Sequence, residues 1–243
     1  MRALLVFSNL LLLAGAALNP ASANSLQVTP VSLEISAPAS AATITMNNPG
    51  DTPLKAQIRV MRWSMDNGRE KLEPATDVVA SPPMASLQPK TDYTVRIVRL
   101  SKEPVVREQT YRLIIDEVPD PNSRVPNTVT MAFRYSVPVF FYATAQGTPT
   151  LAWSTERRDG TVYLSAVNTG DRHVRIADLQ IADPQGSTLT IAKGLAGYVL
   201  ARSSKSWVAL GKNQKMALDA PLVVTAQGDL GPIHAEARPA AVR

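Results

Sequence analysis

Apolar and polar positions alternate along most of this chain. Leu54, Ala56, Ile58 and Val60 occupy one face of an extended segment, and Lys55, Gln57, Arg59 and Met61 the other, because successive side chains of a strand point to opposite sides. Leu26 to Ile35 alternates in the same way, and Pro30 inside it marks an edge or a switch between sheets. Further strands are predicted over Ala42–Met46, Tyr93–Leu100, Tyr111–Val118, Leu151–Trp153, Thr161–Val167, Gly197–Leu200, Ser206–Leu210, Leu222–Thr225 and Ile233–Ala237. Turn signals separate them, among them Asn47–Asp51, Asp66-Asn67-Gly68, Ser81-Pro82-Pro83, Gln88–Lys90 and Arg158-Asp159-Gly160. No segment carries a convincing helical period.

The densest alternation lies between Thr128 and Tyr142. Val129, Met131, Phe133, Tyr135, Val137, Val139 and Phe141 share one face, while Thr128, Thr130, Ala132, Arg134 and Ser136 share the other. Pro138 has no N–H for a ladder bond, which predicts an edge strand. Such a face either feeds the chain's own core or offers side chains and open backbone groups to a partner that lacks a strand.

Residues 1–23 read as a secretory signal, with Arg2 ahead of an apolar stretch to Leu18 and a small-residue cleavage site at Ala21-Ser22-Ala23. The remaining chain, about 220 residues, suits two domains of about 110 each. We place them at 24–145 and 149–238, with a linker around Ala143–Pro149. Asn168-Thr169-Gly170-Asp171 followed by Val174, Ile176 and Leu179 echoes Asn48-Pro49-Gly50-Asp51 followed by Leu54, Ala56 and Ile58, a weak internal repeat of two similarly built units. Short strands punctuated about every ten residues predict an all-β chain of two immunoglobulin-like β-sandwich domains.

Composition narrows the setting. The chain has no cysteine, which for an exported protein of this size fits a bacterial periplasm better than a disulfide scaffold. The net charge of +5 is a mild, dispersed basic bias, and no aromatic-interleaved basic stripe suggests nucleic acid. Beyond the leader no run is apolar enough for membrane insertion.

Catalytic patterns are missing. There is no cysteine nucleophile or Gly-x-Ser-x-Gly elbow, no phosphate loop, and His173 and His234 stand apart without partners at ligand spacing. The expectation is a protein without enzyme activity, metal or cofactor, with both histidines in ordinary surface or turn positions. Trp63, Trp153 and Trp207 are separated and suit core or hairpin positions better than a glycan-binding platform.

With these features assembled, the sequence resembles the periplasmic pilus-assembly chaperones of the chaperone-usher pathway. The residues carrying the likeness are Glu108–Pro119, similar to that family's strand F signature, Arg134–Phe141 in its strand G, and Ser81-Pro82-Pro83. Looser matches in the second half are Gly197–Leu200 and Asp229-Leu230-Gly231. The motifs are most similar to the archaic, or non-classical, branch.

The resemblance implies an L or boomerang arrangement of the domains and a strand G that lends alternating apolar side chains to a pilin, which the outer-membrane usher later takes over. Matched onto this chain, the donor side chains are Val129, Met131 and Phe133, continued by Tyr135 and Val137. It further implies a charged network between the domains, mapped to Arg96, Glu108 and Asp229. Better-known members clamp the pilin's terminal carboxylate at positions that here are Pro30 and Pro138, so Arg112 is the leading substitute, with Arg99 and Arg134 behind it. Pilins and the usher are the partners so implied, and self-capping by homo-oligomerisation is a further expectation. The rival classes are a pilus or surface structural subunit and a secreted carbohydrate-binding module.

Overall fold

A computed structural model describes residues 26–119, 131–143, 147–211 and 220–240, and among these all regular structure is strand. The first sheet runs β1 (Gln27–Thr29), β3 (Ala41–Asn48), β8 (Thr91–Arg99), β6 (Val78–Ser81). The second runs β2 (Leu33–Ser36), β10 (Arg134–Tyr142), β9 (Gln109–Val118), β4 (Leu54–Asp66), β5 (Arg69–Pro74), with β7 (Met84–Leu87) also on β4. Pro30 lies where the chain passes from β1 in one sheet to β2 in the other, the sheet switch predicted for it.

The two sheets close on one core. Ile44, Met46, Val95 and Ile97 from the first meet Ile58, Val60, Leu113, Ile115, Val139 and Phe141 from the second. Each side chain of this size contributes about 1.5–3 kcal/mol when fully buried. The hairpin predicted at Asp66-Asn67-Gly68 joins β4 to β5, with positive φ at Asn67 and Gly68, as a two-residue type I′ turn requires.

The second domain is a single sheet rolled around its own core: β14 (Thr188–Thr190), β13 (Val174–Ala182), β17 (Leu222–Gly228), β18 (Gly231–Pro239), β11 (Leu151–Arg158), β12 (Thr161–Asn168), β16 (Ser203–Leu210), with β15 (Leu195–Val199) on β13. A three-residue parallel seam, Trp153 to Thr155 against Ala237 to Pro239, joins its two halves. Leu164, Ile176, Leu179, Val199 and Val224 are fully enclosed.

The repeat read in the sequence is a repeat of hydrogen bonding. Asn48 Oδ1 accepts the Gly50 N–H at 3.0 Å and its Nδ2 donates to the Thr52 carbonyl at 2.8 Å. Asn168 does the same with Gly170 at 3.0 Å and Arg172 at 2.7 Å. Both asparagines are buried, and each turns a loop back by satisfying backbone groups that would otherwise be orphaned. In the second domain this loop carries Arg172 and His173 to the junction between the domains.

Candidate functional site

The strand predicted over Thr128–Tyr142 begins, among the described residues, only at Arg134. It is an edge strand over part of its length. Residues from Val139 onward pair in parallel with β2 starting at Leu33, while the ladder of Arg134 to Pro138 is, among the described residues, with β9. Pro138 therefore sits where the pairing with β2 ends.

The core-facing side chains of β10 change along its length. Val139 and Phe141 are fully buried, and Val137 is 4% exposed in the same core. Val137 is thus committed to the chain's own domain, a correction to its place among the donor side chains. Tyr135 is half-buried, packs against the core and donates from its hydroxyl to the Leu26 carbonyl. Phe133 is half-buried and Met131 is 70% exposed. Val129 lies outside the described residues. Glu117 anchors the point of emergence: its N–H donates to the Phe133 carbonyl at 3.0 Å, and its carboxylate accepts the N–H groups of Phe133 at 3.2 Å and Leu26 at 2.8 Å.

On the opposite face of that sheet lies a cleft against the second domain, lined by Val31, Ser32, Glu34, Arg112, Ser136, Pro138, His173, Arg175, Tyr198 and Asp229 among others. Arg112 is directly cross-strand from Pro138. Its guanidinium stacks 3.7 Å from the Trp63 ring centroid, lies 5.4 Å from that of Tyr198, and reaches Glu70 at 3.5 Å. Burial pushes its pKa below the ordinary arginine value, opposed by the charge of Glu70. The other two anchor candidates are elsewhere. Arg99 donates to Gln109 and the Ser101 carbonyl at 2.8 and 2.7 Å, pinning a loop. Arg134 is exposed and paired with Asp116.

The junction itself has an apolar and a charged part. Trp63 and Phe140 of the first domain pack with Tyr198 and Leu200 of the second, and Met65 lies against them. Phe140 is stacked on His173 with centroids 3.5 Å apart and rings within 6° of parallel. Beside them the Glu108 carboxylate, fully enclosed, accepts Arg172 Nε at 2.9 Å and the His173 N–H at 2.9 Å, and lies 2.8 Å from His173 Nδ1. Glu34 completes the group, 3.0 Å from Arg172 Nη2 and 3.3 Å from His173 Nε2. Burial opposes charging of the ring, but the hydrogen bonds to Glu108 and Glu34 outweigh it and raise the His173 pKa to about 9.

Of the three residues assigned to an interdomain network, only Glu108 occupies it. Arg96 projects exposed from the first sheet, cross-strand to Thr43 and Ser81, and Glu108 precedes a strand of the other sheet. Asp229 lines the cleft but bonds within its own domain, to Arg175 Nε at 2.9 Å and its N–H at 2.8 Å. The network's actual partners, Arg172 and His173, were missed because they stand more than sixty positions from Glu108 in the chain. The signal that could have found them is the asparagine repeat, which places the residues just after Gly170 in a tight, ordered loop. His173 is accordingly a buried junction residue and not a surface histidine.

Comparison with known proteins places the fold. Residues 25–145 match the pili and flagellar-assembly chaperones, PapD N-terminal domain. The chain belongs to that family. In fold it is similar to the CsuC–CsuE chaperone–tip adhesion subunit pre-assembly complex from the archaic chaperone-usher Csu pili of Acinetobacter baumannii (24% identity, TM-score 0.69, covering 89% of this chain and 99% of that one). It is likewise similar to the SafB chaperone complex with the SafA pilin of Salmonella enterica (18%, 0.61, covering 87% and 96%) and to the CupB2 chaperone of Pseudomonas aeruginosa (20%, 0.56, covering 88% and 100%). No curated protein sequence matches the chain.

Proposed function

We propose that this chaperone caps a pilin lacking a strand by donating the segment that leads into β10, and passes it to an outer-membrane usher in the periplasm. One observation carries the proposal: a single side-chain face runs from Phe141, Val139 and Val137 inside the chaperone's core out through Tyr135 and Phe133 to exposed Met131, while the adjoining backbone of Ser136 to Pro138 pairs, among the described residues, with β9 on one side only. A subunit sandwich that accepts this segment gains ladder hydrogen bonds and buries side chains worth about 1.5–3 kcal/mol each before association costs. No nucleotide is required, since completing the subunit's core is itself downhill.

Arg112 is the anchor we assign to the subunit's terminal carboxylate. It lies across from Pro138, lines the cleft, and keeps a planar rim of N–H donors beside its aromatic stack. The open edge is equally suited to a second copy of the chain, which supports self-capping in the absence of subunit.

The test is periplasmic co-expression with the pilin from the same bacterium, comparing the native chain with Met131→Asp combined with Phe133→Asp. The native chain should copurify with pilin one to one, and the double variant, folded by circular dichroism, should not. Equal capture by both would remove strand donation from this segment.

A further inference from the structure

We infer, taking Arg112 as the subunit anchor, that Glu70 is a built-in placeholder for the subunit's carboxylate, with Lys205 of the second domain as the partner that holds Glu70 once the exchange has occurred. A stacked guanidinium on a side chain only 11% exposed is costly to keep without a counter-charge. The free chaperone must therefore neutralise Arg112, yet a tight bidentate partner would shut out the incoming carboxylate. Glu70 meets both conditions. Its Oε2 is 3.5 Å from Arg112 Nη2, at the outer limit of a hydrogen bond, and among the described residues it is the one carboxylate on that guanidinium. It stands on β5, a strand exposed along its whole length, so its side chain has room to swing.

Lys205 supplies the second position. Its Nζ lies 3.3 Å from Glu70 Oε1, and its own side chain is only 14% exposed. The stem crosses Gly197 so closely that a Cβ there would come within 2.6 Å of Lys205 Cε, and Gly197 holds a positive φ of 128°. That glycine lets the lysine lie flat across the second domain and fixes its ammonium beside β5. When a carboxylate takes Arg112, Glu70 keeps a cation, and no charge in the cleft is stranded.

Such an exchange sets the anchor's affinity below that of an unopposed guanidinium. Reversibility of this kind suits a protein that must later surrender its cargo. It also makes Glu70 a specificity filter, since a ligand end that is not anionic cannot displace it.

The test uses the full mature chain and two defined probes, N-acetyl-leucine and its amide, titrated at low salt while the Arg112 Nε–H and Trp63 indole signals are followed by NMR. Four proteins are compared: native, Glu70→Gln, Lys205→Met and Arg112→Gln, the last read at Trp63 only. The carboxylate should bind Glu70→Gln roughly three- to fivefold tighter than the native chain, the size expected for a partly exposed ion pair. Lys205→Met should bind it more weakly, and the amide should shift nothing. Equal or weaker binding by Glu70→Gln, with Arg112→Gln silent, overturns the placeholder and leaves the anchor standing. A carboxylate response in Arg112→Gln equal to the native one, or no response in any protein, overturns the anchor itself.

Discussion

His173 links the junction's stability to pH, and the size of the effect follows from its surroundings. The ring is stacked on Phe140 and bonded to Glu108 and Glu34, and Arg172 is the nearby cation competing for both carboxylates. Its pKa in the folded chain is about 9, against 6.5 for the free side chain. A folded-state pKa above the unfolded one means that the native state binds the proton more tightly. The resulting stabilisation, about 3 kcal/mol, is complete below pH 6.5 and disappears as pH rises through 9. The perturbation is His173→Gln, which keeps a polar side chain of similar reach and removes the titration.

Urea unfolding of both proteins, followed by tryptophan fluorescence from pH 5.5 to 10, reads the difference directly. Trp63 reports on the junction, being packed against Tyr198 at 5.5 Å between ring centroids. The native chain should exceed the variant by several kcal/mol at pH 6 and should lose most of that margin by pH 10. A gap that stays constant across this range would refute the linkage and reduce His173 to a packing residue.

Two structural predictions accompany this. Phe140→Ala removes the ring that touches Trp63, Tyr198 and His173 at once; unfolding should show a loss of about 3–5 kcal/mol, with small-angle scattering reporting a wider spread of interdomain angles. At Gly170, a Cβ would fall 2.1 Å from the Thr148 carbonyl oxygen and 2.7 Å from the Thr150 nitrogen, both backbone atoms, so Gly170→Ala should distort the loop that presents Arg172 and His173 and lower the melting temperature by several degrees, whereas an unchanged melting curve would show that the loop can yield.

The strands were legible because their signal is local. The alternation from Leu54 to Val60 needs no tertiary knowledge, and Ala56, Ile58 and Val60 do line the core. Turns such as Arg158-Asp159-Gly160 declare themselves through residues that tolerate positive φ, here 50° at Asp159 and 79° at Gly160. The division of β10 was not legible. Val137 and Phe133 are the same kind of residue on the same face, and whether each meets the chain's own core depends on how far the opposing sheet extends beneath the strand, which is set by residues tens of positions away in the chain. The charged junction was hidden for the same reason. Glu34, Glu108 and His173 come together from three distant strands or loops, and nothing in their spacing says so.

The junction and the proposed anchor are one construction, which accounts for the aromatic surface beside Arg112. Arg112 stacks on Trp63 from the first domain with Tyr198 from the second beside it, and the same two rings belong to the apolar cluster that docks the domains. Were the second domain to swing away, Tyr198 would leave the guanidinium and Lys205 would leave Glu70, so that Arg112 would be more hydrated and would remain, among the described residues, as the cation on Glu70. Docking therefore does more than set an angle: it buries Arg112 and places Lys205 beside Glu70, as the proposed exchange requires. The enclosed Glu108, with its three hydrogen bonds from Arg172 and His173, keeps that docked state populated, and a buried charge cluster is well suited to the task, because it has one satisfactory geometry where an apolar contact alone would tolerate several.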